Sequence, residues 1–344
     1  MNPSSGRIRL SVDMMGGDRG LDSTVPGILE ALKRFPDLSL HLVGDESRLR
    51  TAIGTQEFSD RVSFIASTEV VEMDESPAQA LRSKKDSSMR VAVNLLAEGI
   101  VDGCVSAGNT GALMATARFV LKMLPGIDRP AIIATLPRAS GHVYVLDLGA
   151  NVDSSPEILL QFALMGESMV RTLEGKQSPT VGLLNVGSEE IKGSGTIKKA
   201  SELLRESKVN YVGYVEGDDI FNGSVDIIVC DGFEGNIALK TSEGLAQMLS
   251  KVIREEFTRG LLRRCAALVA APVLRSVRAR IDHRQYNGAV LLGLKGAVVK
   301  SHGSADGHSF ANAINAARIA VIKGMVQHIQ EDFSSSGMAP VQSQ

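Results

Sequence analysis

The chain has 344 residues, of which 44% are hydrophobic and 22% are charged, as is typical of a globular protein. Its 37 Lys and Arg against 39 acidic residues leave a formal net charge of −2, and ten Phe, four Tyr and no Trp are present. Nucleic-acid binding is therefore disfavoured, because it needs a basic surface and aromatic side chains on which bases stack. We expect one bilobed α/β catalytic domain over residues 7–332.

The cysteines and the amino-terminal residues indicate a compartment. Cys104, Cys230 and Cys265 are odd in number and far apart, so a disulfide framework is not expected and a reducing cytoplasm is the natural setting. The first residues have no apolar signal core, and no apolar run reaches the length of a membrane span. We predict a cytoplasmic protein with, at most, peripheral contact to a membrane.

Short apolar strands alternate with amphipathic helices along the chain, in units that predict a mainly parallel sheet with helices on both faces. Ligands of such sheets bind at the carboxyl ends of the strands, so we expect the loops there to share one edge. The predicted strands are 8–12, 38–43, 62–65, a run near 101, 143–147, 181–184, 225–230 and 295–304, and the predicted helices are 24–35, 87–98, 156–173, 242–257 and 310–321.

Residues 258–282 depart from this alternation. Pairs of apolar residues alternate there with arginines, and Pro272 is expected to break or bend a helix. We predict a helical hairpin excursion, serving either in dimer packing or as a surface, 258–280, for a membrane or an acidic partner. The Ser-, Gly-, Pro- and Gln-rich end, 333–344, is predicted to be a flexible tail. The arginines are Arg263, Arg264, Arg275, Arg278 and Arg280.

Several familiar active-site motifs are absent from the sequence. No Gly-x-Gly-x-x-Gly follows a strand, no Walker A motif occurs, and no His-x-x-x-His pair suggests zinc. Residues 307–311 faintly resemble the nucleophile elbow of serine hydrolases, but Ala311 replaces the final glycine. Ser309 is better explained as the cap of a following helix than as a nucleophile.

Glycine-rich polar loops follow most of the predicted strands. Two of them, after Val101 and after Val225, share a Val-Asp start, an apolar run and a Gly-Asn pair. Together the loops offer many N–H, hydroxyl and amide donors but few general bases, which favours binding an anion that is itself the nucleophile. The candidate phosphate- and substrate-binding residues are Gly16, Gly17, Asp18, Ser106, Gly108, Asn109, Thr110, Gly111, Asn151, Asn185, Ser188, Asp231 and Gly235.

Seven motifs then give the chain a family resemblance. In order, they occupy residues 13–18, 107–112, 126–130, 146–151, 184–189, 231–236 and 300–304. Together they resemble the acyl-acyl-carrier-protein:phosphate acyltransferases of bacterial phospholipid synthesis, the PlsX family, over residues 7–323. Val12 and Met14 replace the Met and Ala usual at the start of the first motif, a change between apolar residues.

The resemblance implies a fold similar to that of isocitrate and isopropylmalate dehydrogenases and of phosphotransacetylases, as a homodimer. It implies transfer of a long acyl chain from the acyl-carrier-protein thioester to inorganic phosphate. The acyl phosphate would supply a membrane acyltransferase that acylates glycerol 3-phosphate. Neither a metal nor an organic cofactor is expected.

Three residues are candidates for catalysis in that reaction. Lys192 is expected to balance charge, Asn236 to contact the oxyanion or the phosphate, and His302 to donate a proton to the departing sulfur. Each has a plainer explanation: a solvated lysine, a helix cap and a structural histidine, respectively.

Three other functions remain open on the sequence. The first is a phosphotransacetylase acting on acyl-coenzyme A. The second is a metal-dependent hydroxy-acid dehydrogenase of related fold, which would need clustered Asp ligands such as Asp147, Asp226 and Asp231. The third is a non-catalytic adaptor for a membrane or a carrier protein, built on residues 258–280.

Overall fold

The computed structural model of the protein describes residues 6–54, 60–281 and 283–336, with the backbone alone described at 278–281, 283 and 336. In these ranges eleven strands form one sheet, in the order β3-β2-β1-β4-β11-β10-β5-β6-β9-β7-β8. The strands are β1 (Ile8–Asp13), β2 (Leu38–Gly44), β3 (Val62–Ala66), β4 (Gly103–Ser106), β5 (Ala131–Pro137), β6 (His142–Leu146), β7 (Val181–Leu184), β8 (Tyr211–Val215), β9 (Ile227–Val229), β10 (Ala289–Leu292) and β11 (Ala297–Lys300).

Most helices begin at a side chain that accepts a hydrogen bond from the first turn, as Ser87, Ser155 and Ser194 do. The final helix continues to Ser336, so residues 333–336 are helical rather than a flexible tail, and 337–344 lie outside the described residues. The helices are α1 (Leu21–Arg34), α2 (Glu46–Ile53), α3 (Pro77–Ser83), α4 (Ser88–Ala97), α5 (Thr110–Leu121), α6 (Pro156–Glu174), α7 (Gly195–Glu206), α8 (Asp219–Asn222), α9 (Gly232–Thr258), α10 (Leu261–Ile281), α11 (Gly307–Ile322) and α12 (Met325–Ser336).

The sheet is covered by helices on both faces. Side chains alternate along a strand, so Cys104 and Val105 of β4 enter different hydrophobic clusters. The cluster on one face includes side chains of α1, α6 and α11, and the cluster on the other includes side chains of α4 and α5. The predicted α/β class, with a mainly parallel sheet between helices, is confirmed.

The direction of the strands reverses in the middle of the sheet. Strand β10 pairs antiparallel with both β11 and β5, and β5 pairs antiparallel with β6, whereas the pairs on either side are parallel. The carboxyl ends of β1, β4 and β11 therefore point opposite to those of β6, β7 and β9. The prediction that all the polar loops share one edge is wrong, because only parallel strands end at the same edge.

Helices α9 and α10 form a hairpin, which we call the arm. The prediction placed the whole hairpin in 258–282, but that segment supplies one helix, and its partner is the 27-residue α9. Helix α10 continues through Pro272 instead of breaking there. Apolar side chains on the arm are strongly exposed, with Leu262 at 89% and Val269 at 83%. The side chains of Arg278 and Arg280 lie outside the described residues.

Among the described helices, none is both long enough and apolar enough to cross a bilayer.

Candidate active site

Asp13, the last residue of β1, joins two loops at one edge of the sheet. Its carboxylate is 1% exposed and accepts hydrogen bonds from the Ser88 and Ser106 hydroxyls, each at 2.6 Å, and from the Gly16 N–H at 3.2 Å. Burial raises the pKa of Asp13, and these hydrogen bonds oppose the rise because they favour the ionised form. The carboxylate thus fixes the loop after β1 against the strand end of β4.

The loops after β1, β4 and β11 touch one another through glycines. A Cβ added at Gly16 would lie 2.8 Å from the Gly108 nitrogen, and one at Gly17 would lie 3.0 Å from the Gly303 oxygen. The Asp18 N–H donates to that same Gly303 carbonyl at 2.9 Å. Larger side chains would separate the loops, so the glycines are required for this approach. We call residues 13–18, 106–111 and 300–304 the three-loop site.

Helix α5 begins inside the three-loop site, and Asn109 caps it. The Asn109 carbonyl oxygen accepts from the Ala112 N–H at 3.0 Å, while its amide donates to the carbonyls of Met73 and Glu75, each at 2.9 Å. The side chain, predicted to contact substrate, is therefore occupied in holding the loop. The Gly108 N–H is also used, since it donates to Ser106 at 3.0 Å. Thr110 and Gly111 lie in the first turn, where N–H groups lack intrahelical partners.

His302 connects the three-loop site to α9. Its Nδ1 accepts from the Ser304 N–H at 3.2 Å, which leaves the proton on Nε2, and Nε2 lies 3.5 Å from Glu243 of α9. The hydrogen bond from His302 is the main reason that the pKa of Glu243 falls to about 2. His302, a predicted catalytic residue, thus lies beside the other loops of the site. It is half exposed and has the Glu243 carboxylate as its partner.

Lys300, the last residue of β11, is buried among the same loops. Its Nζ donates to the Ala107 carbonyl at 3.1 Å and to the Ser301 carbonyl. Neither Lys300 nor Asp13 was among the predicted site residues. The sequence does hold a signal for both, because each is a charged residue at the end of a strand whose buried positions are mostly apolar.

A second group of predicted residues lies at the opposed strand ends and holds the backbone. Asp147 accepts from the N–H groups of Ile132 at 2.8 Å and Asn151 at 2.7 Å. Both hydrogens of the Asn151 amide are used within the protein, on Pro130 at 2.8 Å and on Asp147 at 2.9 Å. Asp231 caps α9 through the Phe233 N–H at 2.8 Å. Asn151 and Asp231, both predicted to contact substrate, thus hold the backbone in this structure.

Asn236 lies in the first turns of α9 and has a free side chain. It is exposed, and its amide makes no hydrogen bond to any described residue. A Cβ added at Gly149 would lie 3.4 Å from the Asn236 Cβ, so the loop after β6 packs against it. Helical spacing places Asn236, Lys240 and Glu243 on one face of α9. Because Glu243 reaches His302 on that face, α9 links the two groups of loops.

Lys192 lies in the loop after β7 and pairs with an acid of its own loop. Its Nζ is 2.8 Å from Glu189, which is the main reason its pKa is raised, and its side chain is 46% exposed. Asn185 donates to the Gly187 carbonyl at 3.0 Å, and the Ser188 N–H donates to Glu216 at 3.2 Å. Within the described residues, these contacts do not connect Lys192, Asn185 or Ser188 with the three-loop site.

Ser309 is neither a nucleophile elbow nor the cap of its helix. Asp306 caps α11 by accepting from the Ser309 N–H at 2.8 Å, and Ser309 is 4% exposed. Over the described part of the chain, no three His, Cys, Asp or Glu side chains cluster as possible metal ligands.

Comparison with known proteins settles the family. The family model described as "fatty acid synthesis protein" matches residues 8–328. The chain belongs to this family. A protein named phosphate acyltransferase from Methylococcus capsulatus is 58% identical over 324 residues, 94% of this chain and 96% of that protein. The resemblance to phosphate acyltransferases and the prediction of an acyltransferase that uses phosphate are thereby confirmed.

Solved structures of low sequence identity share the fold. A phosphotransacetylase from Streptococcus pyogenes aligns with a TM-score of 0.60 at 16% identity, covering 94% of each chain. The EutD phosphotransacetylase from Staphylococcus aureus aligns with a TM-score of 0.58 at 16% identity, covering 92% of this chain and 95% of its own. The predicted likeness to the phosphotransacetylase fold is confirmed.

Proposed function

We propose that this protein transfers a long-chain acyl group from an acyl-carrier-protein thioester to inorganic phosphate, and that the three-loop site binds the phosphate. The observation that carries the proposal is the closure of three glycine-rich strand ends around the start of α5. The product, an acyl phosphate, would be consumed by a membrane acyltransferase that acylates glycerol 3-phosphate.

The chemistry needs positioning more than activation. Phosphate at neutral pH is already an anionic nucleophile, so no side chain has to form a covalent intermediate. A phosphate oxygen attacks the thioester carbonyl, the carbonyl oxygen gains the negative charge, and the thiolate leaves as that intermediate collapses. A free thiol has a pKa of roughly 8.5, so the departing thiolate needs little help from an acid. Stabilising the oxyanion is the larger task.

Asn236 and His302 fit different steps of this reaction. The unpartnered Asn236 amide would donate to the oxyanion. The Nε2 proton of His302 would pass to the departing sulfur. A rate that stays flat from about pH 6 to 8 in the wild type would exclude proton donation by His302.

The direct assay mixes purified protein with acyl-carrier-protein thioester and phosphate, and traps acyl phosphate with hydroxylamine as the hydroxamate. We expect phosphate-dependent release of free carrier protein together with hydroxamate. The matched comparison uses the same acyl chain on coenzyme A. Faster turnover with acyl-coenzyme A than with the carrier-protein thioester would reject the carrier protein as the natural donor and favour a phosphotransacetylase.

For Lys192→Ala we expect a lower kcat at saturating phosphate, because the cation would offset charge that develops in the transition state. Because Lys192 is paired with Glu189, its positive charge is partly balanced, and we expect a fall of about tenfold, smaller than the roughly hundredfold typical of losing one oxyanion donor. Glu189→Gln is the matched variant, since it frees the lysine and should not lower the rate. A fall of less than about threefold for Lys192→Ala would remove this role.

We also propose that the arm forms the interface of a homodimer. Leu261, Leu262, Leu268 and Val269 are each at least 77% exposed, a patch of the kind that marks an interaction surface. Leu268→Glu should convert dimer to monomer in sedimentation, whereas Gln247→Glu on α9 should not. A Leu268→Glu protein that stays dimeric but no longer sediments with anionic liposomes would assign the arm to a membrane instead.

A further inference from the structure

Lys300 lies at the centre of the three-loop site. It is 8% exposed, and in the sheet it lies opposite Ser106 of the neighbouring parallel strand β4. Its Nζ donates to the Ala107 carbonyl at 3.1 Å and to the Ser301 carbonyl. These carbonyls stand at the beginnings of the loops after β4 and β11, so the ammonium group lies where the two loops leave the sheet.

Among the described residues, this ammonium group donates to backbone carbonyls and forms no ion pair. The Asp13 carboxylate nearby is already occupied by Ser88, Ser106 and Gly16. An ammonium group has three hydrogens to donate, and the protein accepts two of those of Lys300. Asp13 and Asp18 attract this ammonium group without contacting it, so its third hydrogen has no acceptor among the described residues. A buried donor without an acceptor is costly, so a lysine in this position is suited to donate to a bound anion.

The surroundings of Lys300 shift its pKa in opposite directions. Burial lowers its pKa to about 8, because the charged form loses hydration. Asp18 and Asp13, from the loop after β1 and from β1 itself, attract the ammonium form, and Lys240 of α9 repels it. An anion placed against the third hydrogen of Lys300 would stabilise the ammonium form further.

We propose that Lys300 binds the nucleophilic phosphate through the third N–H of its ammonium group, which donates to no described residue. The assignment rests on the acyl transfer to phosphate proposed above. It gives two lysines different roles: Lys300 of the three-loop site would hold the phosphate before reaction, and Lys192, in the loop after β7, would act on charge that develops during it. Loss of Lys300 should therefore raise the KM for phosphate, whereas loss of Lys192 should lower kcat.

The first test uses the wild-type enzyme at several pH values. Above about pH 8 the KM for phosphate should rise up to tenfold per pH unit, as Lys300 loses its proton. Sulfate, whose charge is constant over this range, serves as a competing anion, and its inhibition constant should rise in parallel. A sulfate inhibition constant unchanged between about pH 7 and 9.5 would overturn the assignment.

The second test compares Lys300→Met with Lys295→Met. Lys295 is exposed on the turn before β11 and provides a control of equal chemistry. Lys300→Met should raise the KM for phosphate on the order of 10- to 100-fold, the usual effect of losing one charged hydrogen bond, and should leave the KM for the acyl donor unchanged. Equal KM values for phosphate in Lys300→Met and the wild type would reject the proposal.

Phosphate binding is also measured without an acyl donor, from the rise in Tm that phosphate causes. We expect this rise in the wild type and in Lys295→Met, and its loss in Lys300→Met. If phosphate stabilises the wild type through Lys300 but no acyl phosphate forms, the proposed function fails and the lysine assignment stands. If Lys300→Met does not fold, the sulfate titration of the wild type still decides.

Discussion

Asn236→Ala is expected to lower kcat on the order of a hundredfold, about 3 kcal/mol of transition-state stabilisation, which is the typical effect of losing one oxyanion donor. The amide has no hydrogen-bond partner among the described residues, and α9 directs it along the face that carries Glu243 to His302. Asn236 and Glu243 are about 10 Å apart along the helix, with Lys240 on the same face between them. The measurement is steady-state kcat with acyl-carrier-protein thioester at saturating phosphate.

The same substitution should not reduce stability, and this separates the catalytic role from a structural one. Alanine is the better helix former, so Asn236→Ala should unfold at the same temperature as the wild type or slightly higher. Asn236→Asp keeps the shape but replaces the donor by a carboxylate, and should lose at least as much activity as Asn236→Ala. A kcat within threefold of wild type in Asn236→Ala would exclude the oxyanion contact.

Local sequence predicted the parts of the site better than their arrangement. The glycines at positions 16, 17 and 108 were recognisable because each follows an apolar strand, and they do meet in the structure. Their partner Lys300 was overlooked because a lysine at a strand end resembles a solvated residue. Its burial depends on β11 lying between β4 and β10, a pairing between segments nearly 200 residues apart that no local pattern encodes.

The prediction that all the polar loops lie at one edge of the sheet is wrong for a similar reason. Apolar strand patterns carry no direction. Strand β10 runs antiparallel to both of its neighbours, so β11 and β5 keep the same direction, and the antiparallel pair of β5 and β6 then reverses the strands that follow. Strand β5 is absent from the predicted strands, so this reversal was not predicted. Asn151 and Asn109 illustrate a second limit. An amide on a glycine loop is an equally good ligand for substrate or for backbone, and only the hydrogen bonds in the folded protein distinguish these uses. The sequence motif therefore predicts that the loop belongs to the site, but not whether its amide side chain binds substrate or backbone.

Gly235→Ala is expected to be among the most destabilising single changes in the chain. A Cβ at this position would lie 1.9 Å from the Asp147 carbonyl oxygen and 2.9 Å from the Cys230 sulfur. The carbonyl belongs to the backbone, so α9 or the loop after β6 would have to move to remove the clash. We expect a loss of about 3 kcal/mol or more, which corresponds to a fall in Tm of roughly 4 °C or more for a chain of this length.

Gly244→Ala, on the same helix, provides the matched control. No atom lies within 4 Å of a Cβ added there, so alanine should stabilise the helix by about 0.5–1 kcal/mol and leave activity unchanged. The opposite signs at 235 and 244 separate close packing at the start of α9 from the general preference of helices for alanine. Thermal unfolding of both variants beside the wild type measures this. A Gly235→Ala protein as stable as Gly244→Ala would mean that α9 does not pack on the loop after β6 as described, and the placement of Asn236 would fail with it.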